Sequence, residues 1–280
     1  MKYKWQLGHG QTIDISEKAI IMGILNMTPD SFSDGNTYHS VKEAVAAACK
    51  MTSQGAHIID IGGESTRPGA ESIDAATEQA RILPVIKELD RIGGILISVD
   101  TYRAETALLA VEAGAHIIND IWGLQKKHGI TDIAAQTGTG VVIMHTGRDR
   151  KKNMDVIVDQ QQFFAKSLVI AEKAGIQSEQ IVLDPGFGFA KTTDENIALM
   201  HRATELLQFG FPLLAGTSRK TFIGKIAAKQ EVKDRDVATS ATSVILRMAG
   251  CSIFRVHNIM VNRDALAIAD AVRMQKNDGF

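Results

Sequence analysis

The stretch Ala19-Ile-Ile-Met-Gly-Ile-Leu-Asn-Met-Thr-Pro-Asp-Ser-Phe-Ser-Asp-Gly35 begins as an apolar run, stops at Asn26 and shows no period until helical spacing takes over at 41–53. An apolar run, a polar stop and an amphipathic segment read as strand, loop and helix. The loop is long, because connectors in compact domains have a median of about 4–6 residues. Pro29, the Ser31, Ser33 and Asp34 cluster, and Gly35 break regular structure, whereas Met27 and Phe32 are apolar groups that a bare solvent loop does not need. A lid over a site at the end of the strand accounts for both.

The same unit recurs down the chain. Apolar, β-branched runs stand at 19–25, 57–61, 95–99, 115–118, 140–144, 180–183, 212–215 and 252–256. Helical spacing of alanine and leucine follows most of them, at 41–53, 75–91, 104–112, 130–136, 157–173, 196–207, 238–248 and 264–275. Alternating strands and helices mean parallel strands joined by crossovers. Eight units in roughly 260 residues match a (β/α)₈ TIM barrel, typically about 250 residues, better than an open doubly wound sheet. Ahead of them, residues 4–15 flank Gly8-His9-Gly10 and read as a β-hairpin that plugs or borders the body. No longer repeat and no low-complexity linker divides the chain, so 1–280 is expected to be one domain with 1–18 as an N-terminal hairpin extension.

Each apolar run ends on polar chemistry. In order the ends supply Asn26, Asp60, Asp100, Asn119, His145, Asp184, the Gly216-Thr-Ser-Arg-Lys220 run, and Arg255 with His257. In a barrel these positions converge on the C-terminal face, where active sites of this fold lie. For Asp60 by itself, ordinary turn or N-cap chemistry is the simpler reading. Met144 is expected to face the mouth as a soft apolar floor, and His145, with no second ligand at metal spacing, to be structural.

Composition narrows the ligand. With 31 basic against 32 acidic residues there is no electrostatic case for nucleic acid or an anionic membrane, so an anionic ligand needs a local site. Cys49 and Cys251 are too few and too far apart for a disulfide framework and read as packed thiols. The first residues lack the apolar core of a signal peptide, and no segment approaches 18 uninterrupted apolar residues, which leaves a cytoplasmic protein as the expectation. The charge runs 148–152 and 229–236 read as solvated surface.

Three further stretches carry chemistry. Asp60-Ile-Gly-Gly-Glu-Ser-Thr-Arg-Pro-Gly-Ala70 is a second long loop in which Arg67 can face an anion. Asp184-Pro-Gly-Phe-Gly-Phe189 combines glycines for close backbone approach with aromatics that can stack on a flat ring. Gly216-Thr-Ser-Arg-Lys-Thr221 precedes a helix and offers amides and Lys220 to an anion or a polar carbonyl. Gly186-Phe-Gly188 lacks the context of a dinucleotide fingerprint, which argues against a nucleotide cofactor.

Taken together, the 23–35 stretch, Asp60 to Gly69, Ser98-Val-Asp-Thr101, Ile118-Asn-Asp-Ile121, Leu183 to Phe189, Ser218-Arg-Lys220 and Arg255-Val-His257 resemble the dihydropteroate synthase family, in order, across the whole barrel. The resemblance implies a transferase of folate biosynthesis that condenses hydroxymethyl-dihydropterin diphosphate with p-aminobenzoate, giving dihydropteroate and pyrophosphate with Mg²⁺ on the diphosphate. It implies a homodimer inhibited by sulfonamides. It also implies roles: Asp100, Lys220 and Arg255 as catalytic residues; Asp100, Asn119, Met144, Asp184, Phe189, Lys220 and Arg255 around the pterin; Asn26, Thr66, Arg255 and His257 at the diphosphate; Phe32, Thr66, Arg67, Pro68, Phe189 and Thr221 around p-aminobenzoate; and Asn26 as the metal ligand. These chemistries suit the residues. A carboxylate such as Asp184 can meet the adjacent N–H donors of an amino-pyrimidinone edge with two parallel hydrogen bonds, and Asn119 offers a donor and an acceptor.

Thr221 stands where the family commonly has serine, and the segment after His145 carries no family motif. A folate-binding barrel of a methyltransferase, or an inactive homologue, is the alternative. It has no need for Ser65-Thr-Arg-Pro-Gly69 or Arg255-Val-His257.

Overall fold

The computed structural model describes residues 3–28, 40–65, 70–126 and 129–275. The barrel strands are β3 (Ile20–Asn26), β4 (Ile58–Gly62), β5 (Leu96–Asp100), β6 (Ile117–Asp120), β7 (Gly140–Met144), β8 (Ile181–Asp184), β9 (Leu214–Ala215) and β10 (Ile253–Val256). All neighbours pair in parallel in the order β8-β7-β6-β5-β4-β3-β10-β9. A parallel bridge between Leu183 and Leu213, with the Leu183 amide donating to the Pro212 carbonyl at 3.0 Å, joins the two ends of that order. The eight-stranded (β/α)₈ barrel expected from the strand–helix alternation is therefore present.

The helices are α1 (Val41–Ser53), α2 (Ala75–Ile92), α3 (Ala104–Glu112), α4 (Ile130–Thr137), α5 (Val156–Ala174), α6 (Thr193–His201), α7 (Thr221–Ile226), α8 (Asp236–Met248) and α9 (Ile259–Met274). Local chemistry sets several starts: Ser40, Asp74, Asp155, Thr192 and Asn258 each accept a hydrogen bond from the first turn. Two expected helices shift for this reason. The reciprocal Thr192 and Glu195 cap starts α6 before 196, and Arg202, outside helical geometry, divides it from a 3₁₀ turn over Ala203–Phe209. Asn258 follows β10 almost at once and starts α9 at Ile259 rather than 264. The short α7 begins at Thr221, directly after the Gly216 to Lys220 run that was read as preceding a helix.

Both faces of each strand are buried, as parallel sheets require. The outward residues, among them Ile21, Ile59, Ile97, Ile118, Val141, Leu183 and Phe254, join Ala44, Ile82, Val85, Ala107 and Leu199 of the helices in the main core. The inward residues Ile20, Met22, Ile58, Ile117, Val142, Val182, Leu214 and Ile253 form a second cluster with Trp5, Leu7 and Ile15. These last belong to the antiparallel pair β1 (Lys4–Gln6) and β2 (Thr12–Asp14) and its flanks, so the expected hairpin plugs the end of the barrel where the strands begin. The indole Nε1 of Trp5 donates to the Gln180 carbonyl at 2.8 Å. Trp5→Phe removes the donor and part of a fully buried ring and is expected to cost at least about 1–3 kcal/mol in urea unfolding; an unchanged midpoint would show that the plug is not tied there.

Candidate active site

Side chains alternate along a strand, so the apolar plug fixes which residues further along face the interior. From Ile20 and Met22 the inward series continues to Ile24 and Asn26; from Ile58 to Asp60 and Gly62; and from Leu96 to Ser98 and Asp100. Ile117 leads to Asn119, Val142 to Met144, Val182 to Asp184, and Ile253 to Arg255. The register stacks these in one belt: Asp60 pairs with Ser98, Gly62 and Asn119 with Asp100, and Met144 with Asp184. Six of the eight strands thus carry a polar layer directly above an apolar one, with Met144 the apolar member of that layer on β7.

The same parity turns two residues away. His145 points outward, packs on Phe163 and Phe164, and sits 2.9 Å from Asp159 Oδ2, so the expected structural role holds. Burial pushes its imidazole down to about 3. Asp120 points away from Asn119 and accepts the amides of Trp122 and Leu124, which makes it a turn residue.

Asp60 corrects the expectation. It is fully buried rather than a turn or cap, and its Oδ2 accepts from Arg255 Nε at 2.6 Å and from Asn119 Nδ2 at 3.3 Å. Arg255 Nη2 reaches Asp100 Oδ2 at 2.8 Å, so one guanidinium bridges two carboxylates. Burial raises the Asp100 carboxyl to about 7, against the pull of Arg255. Asp184 Oδ1 accepts from the Gly186 amide at 2.7 Å, and burial raises this carboxyl to about 6. Lys220 Nζ lies 4.3 Å from the centre of the Phe189 ring, and burial, with Arg255 nearby, lowers its ammonium to about 8. Met144, Ile121 and Phe189 form an apolar cluster with Tyr102 and Trp122, the floor that the position of Met144 suggested.

Above this belt opens a cavity of about 650 Å³. Of the expected site residues, Asn26, Asp100, Phe189, Lys220, Thr221, Arg255 and His257 line it, while Asn119, Met144 and Asp184 lie in the belt. Ser218 Oγ stands 2.9 Å from His257 Nδ1 and accepts the His257 amide at 3.1 Å, joining the β9 and β10 ends. Lys220 precedes α7, and no side chain caps that helix start. Its first amides, beside Thr221 and Phe222 in the cavity wall, are left for a ligand or water. Phe32, Thr66, Arg67 and Pro68, and the lid reading for 29–35, lie outside the described residues.

The charge runs are not simply solvated surface. Arg148 lines the cavity with its guanidinium 4.8 Å from the Phe189 ring centre, and Arg150 pairs with Asp159. Asp236 holds Arg219 through two hydrogen bonds of 2.6 and 2.8 Å, and Arg235 donates to the Arg219 carbonyl at 3.0 Å. Sequence reasoning also missed Lys191, whose ammonium donates to the Gly186 carbonyl at 2.8 Å and lies 2.9 Å from His145 Nδ1. Its place two residues after Phe189 was the available signal. Gly186 cannot change: at φ +64° an added Cβ would lie 1.9 Å from the His145 carbonyl oxygen.

Known proteins are similar to this chain in sequence and in fold. The family model described as "Pterin binding enzyme" matches residues 22–257, from the first barrel strand to His257. The Bacillus subtilis (strain 168) dihydropteroate synthase is 44% identical over 247 residues, covering 88% of this chain and 86% of that protein. A Xanthomonas albilineans dihydropteroate synthase solved with 4-aminobenzoic acid superposes with a TM-score of 0.91 at 36% identity, over 98% of this chain and all of that one (100%). A Yersinia pestis dihydropteroate synthase in a sulfonamide drug complex gives 0.90 at 38% identity, over 96% and 98%. With a barrel, a polar belt and relatives that agree over nearly the whole length, the chain belongs to the dihydropteroate synthase family of pterin-binding enzymes.

Proposed function

We propose that the protein condenses hydroxymethyl-dihydropterin diphosphate with p-aminobenzoate. The C–O bond to the diphosphate breaks, a C–N bond to the aromatic amine forms, pyrophosphate leaves and the amine gives up one proton. The observation that carries this reading is the buried belt of Asp184, Asn119 and Asp100, which meets at Asp100 the cavity that Lys220 and Arg255 line. A carboxylate, an amide and an ammonium together match the edge of an amino-pyrimidinone ring, and Phe189 with Met144 offers apolar walls for its faces.

The chain's own residues then have separable tasks. Asp184 reads the ring edge, and Lys220 donates to a ring carbonyl or nitrogen. The Asp100 carboxylate lies beside the positive charge that develops on the methylene as the leaving group departs. Arg255, held by Asp60 and Asp100, turns its remaining N–H groups to the anionic end, with His257. The uncapped start of α7 at Thr221 suits the carboxylate of p-aminobenzoate.

Among the described residues no group of three His, Cys, Asp or Glu could hold a metal. The amide oxygen of Asn26, at the end of β3 beside side-chain-free Gly62, fits Mg²⁺ carried mainly by diphosphate oxygens and water. Bound there, the ion would neutralise charge on the leaving group. A homodimer belongs to the same reading, supported by the apolar groove formed by Ile197, Ile226 and Ile245 with their neighbours. So does a reducing, cytoplasmic setting, supported by the free thiols of Cys49 and Cys251.

The test is pyrophosphate release by the purified protein with each substrate alone and both together, with and without Mg²⁺. Release that ignores p-aminobenzoate, or pterin binding without any coupling, would overturn the proposal. The same assay has a pH signature. In the free enzyme kcat/KM is expected to rise as Asp184 and Asp100 ionise near pH 6 and 7 and fall as Lys220 loses its proton near pH 8, giving a bell; a flat profile from pH 5.5 to 9 would remove all three residues from the reactive form.

A further inference from the structure

We propose that Asp60 is a specificity-determining positioning residue: its carboxylate fixes the Asn119 amide with Nδ2 inward, so that Asn119 offers the ligand an acceptor. The inference rests on the pterin reading above. Three observations carry it. First, Asp60 is fully buried and shares Oδ2 between Arg255 Nε at 2.6 Å and Asn119 Nδ2 at 3.3 Å. A carboxylate paired with a guanidinium only accepts, so the Asn119 atom facing it must be the donor nitrogen. Second, the carbonyl Oδ1 of Asn119 is buried and has no hydrogen-bond partner among the described residues. Buried polar atoms are almost always satisfied, and this orphan stands on the register partner of Asp100, which lines the cavity, where it is an acceptor reserved for a ligand N–H. Third, Asp60 Oδ1 and the hydroxyl of Ser98, its register partner, are orphaned in the same belt among the described residues.

Chemically, an amide free to rotate could present either an acceptor or a donor and would read a ring N–H and a bare ring nitrogen alike. Tied by Asp60, it reads only the N–H. The Asp60 contact to Arg255 serves the anionic end of the same ligand, so one buried carboxylate sets the orientation of two groups that meet the substrate on opposite sides of the barrel. Asp60 itself needs no contact with the substrate.

The experiment measures calorimetric binding of hydroxymethylpterin and steady-state kinetics for the wild type, Asp60→Asn, Asn119→Ala and the double variant. Asp60→Asn can turn its own amide to the Asn119 carbonyl and release the constraint. It is expected to weaken pterin binding roughly tenfold in the wild-type background and less than about threefold in the Asn119→Ala background. KM for the pterin diphosphate should rise while KM for p-aminobenzoate stays within about twofold. Equal losses in both backgrounds, or no loss, would overturn the role of Asp60. Wild-type protein that does not bind the pterin at all would instead overturn the functional reading. Should Asp60→Asn not fold, neutron diffraction from the unmutated protein decides the matter: deuterium on the Asn119 atom facing Asp60 supports the proposal, and deuterium on the opposite atom refutes it.

Discussion

Arg255→Ala is expected to destabilise the fold by about 3–5 kcal/mol and to lower turnover on the order of 100-fold or more. The stability term follows from what remains. Asp60, with no exposure, and Asp100, largely buried, would keep their desolvation cost and lose the guanidinium that bridges them at 2.6 and 2.8 Å. The sign of the pH dependence follows too. Burial already raises Asp100 to about 7, and Arg255 holds it down, so the variant moves it higher still. A carboxyl raised above its unfolded value gives stability that is present at low pH and is lost as pH rises through the folded value. The deficit of the variant should therefore be larger at pH 8 than at pH 5.5 in urea unfolding; equal deficits would mean that the carboxylates are not what Arg255 compensates. Arg255→Lys should recover little, because a single ammonium cannot place two donors along separate directions to both carboxylates.

Asp184→Ala should have the opposite balance, with a severe effect on the ligand and a mild one on the fold. Two hydrogen bonds from a ring edge to a carboxylate are worth about 1.5–3 kcal/mol each, so pterin affinity and kcat/KM should fall by roughly 10²–10⁴. Stability at pH 8 should change little, because burial raises Asp184 to about 6 and its ionisation above that pH already weakens the folded state. What the fold loses is the hydrogen bond from the Gly186 amide that shapes the turn before Phe189. Calorimetry with hydroxymethylpterin and a melting curve at pH 8 separate the two effects. Affinity within threefold of wild type would mean that another group reads the ring edge.

The sequence by itself determined the barrel, its plug and the membership of most of the site. These are properties of period and order: apolar runs buried on both faces alternate with amphipathic helices, and each strand ends on a polar residue wherever the closed sheet brings such ends together. Asn26, Asp100, Lys220, Arg255 and His257 were legible in this way, and all of them line the cavity. Tertiary structure decided partnership. Asp60 and Arg255 are 195 residues apart, and no local pattern says that a carboxylate in β4 meets a guanidinium in β10 rather than capping a turn. Likewise Arg148 reads as solvated charge and Lys191 goes unread until packing of the β7 and β8 loops half-buries them against Phe189 and His145. Strand parity lies between the two, since the alternation is written in the sequence but its sign is set by the hairpin that fills the barrel. Trp5, Leu7 and Ile15 choose the inner face, and that choice puts Asn119 inside and Asp120 out. Periodicity is a short-range property of the chain, whereas ion pairs and amide orientation depend on which strands the closure of the barrel makes neighbours.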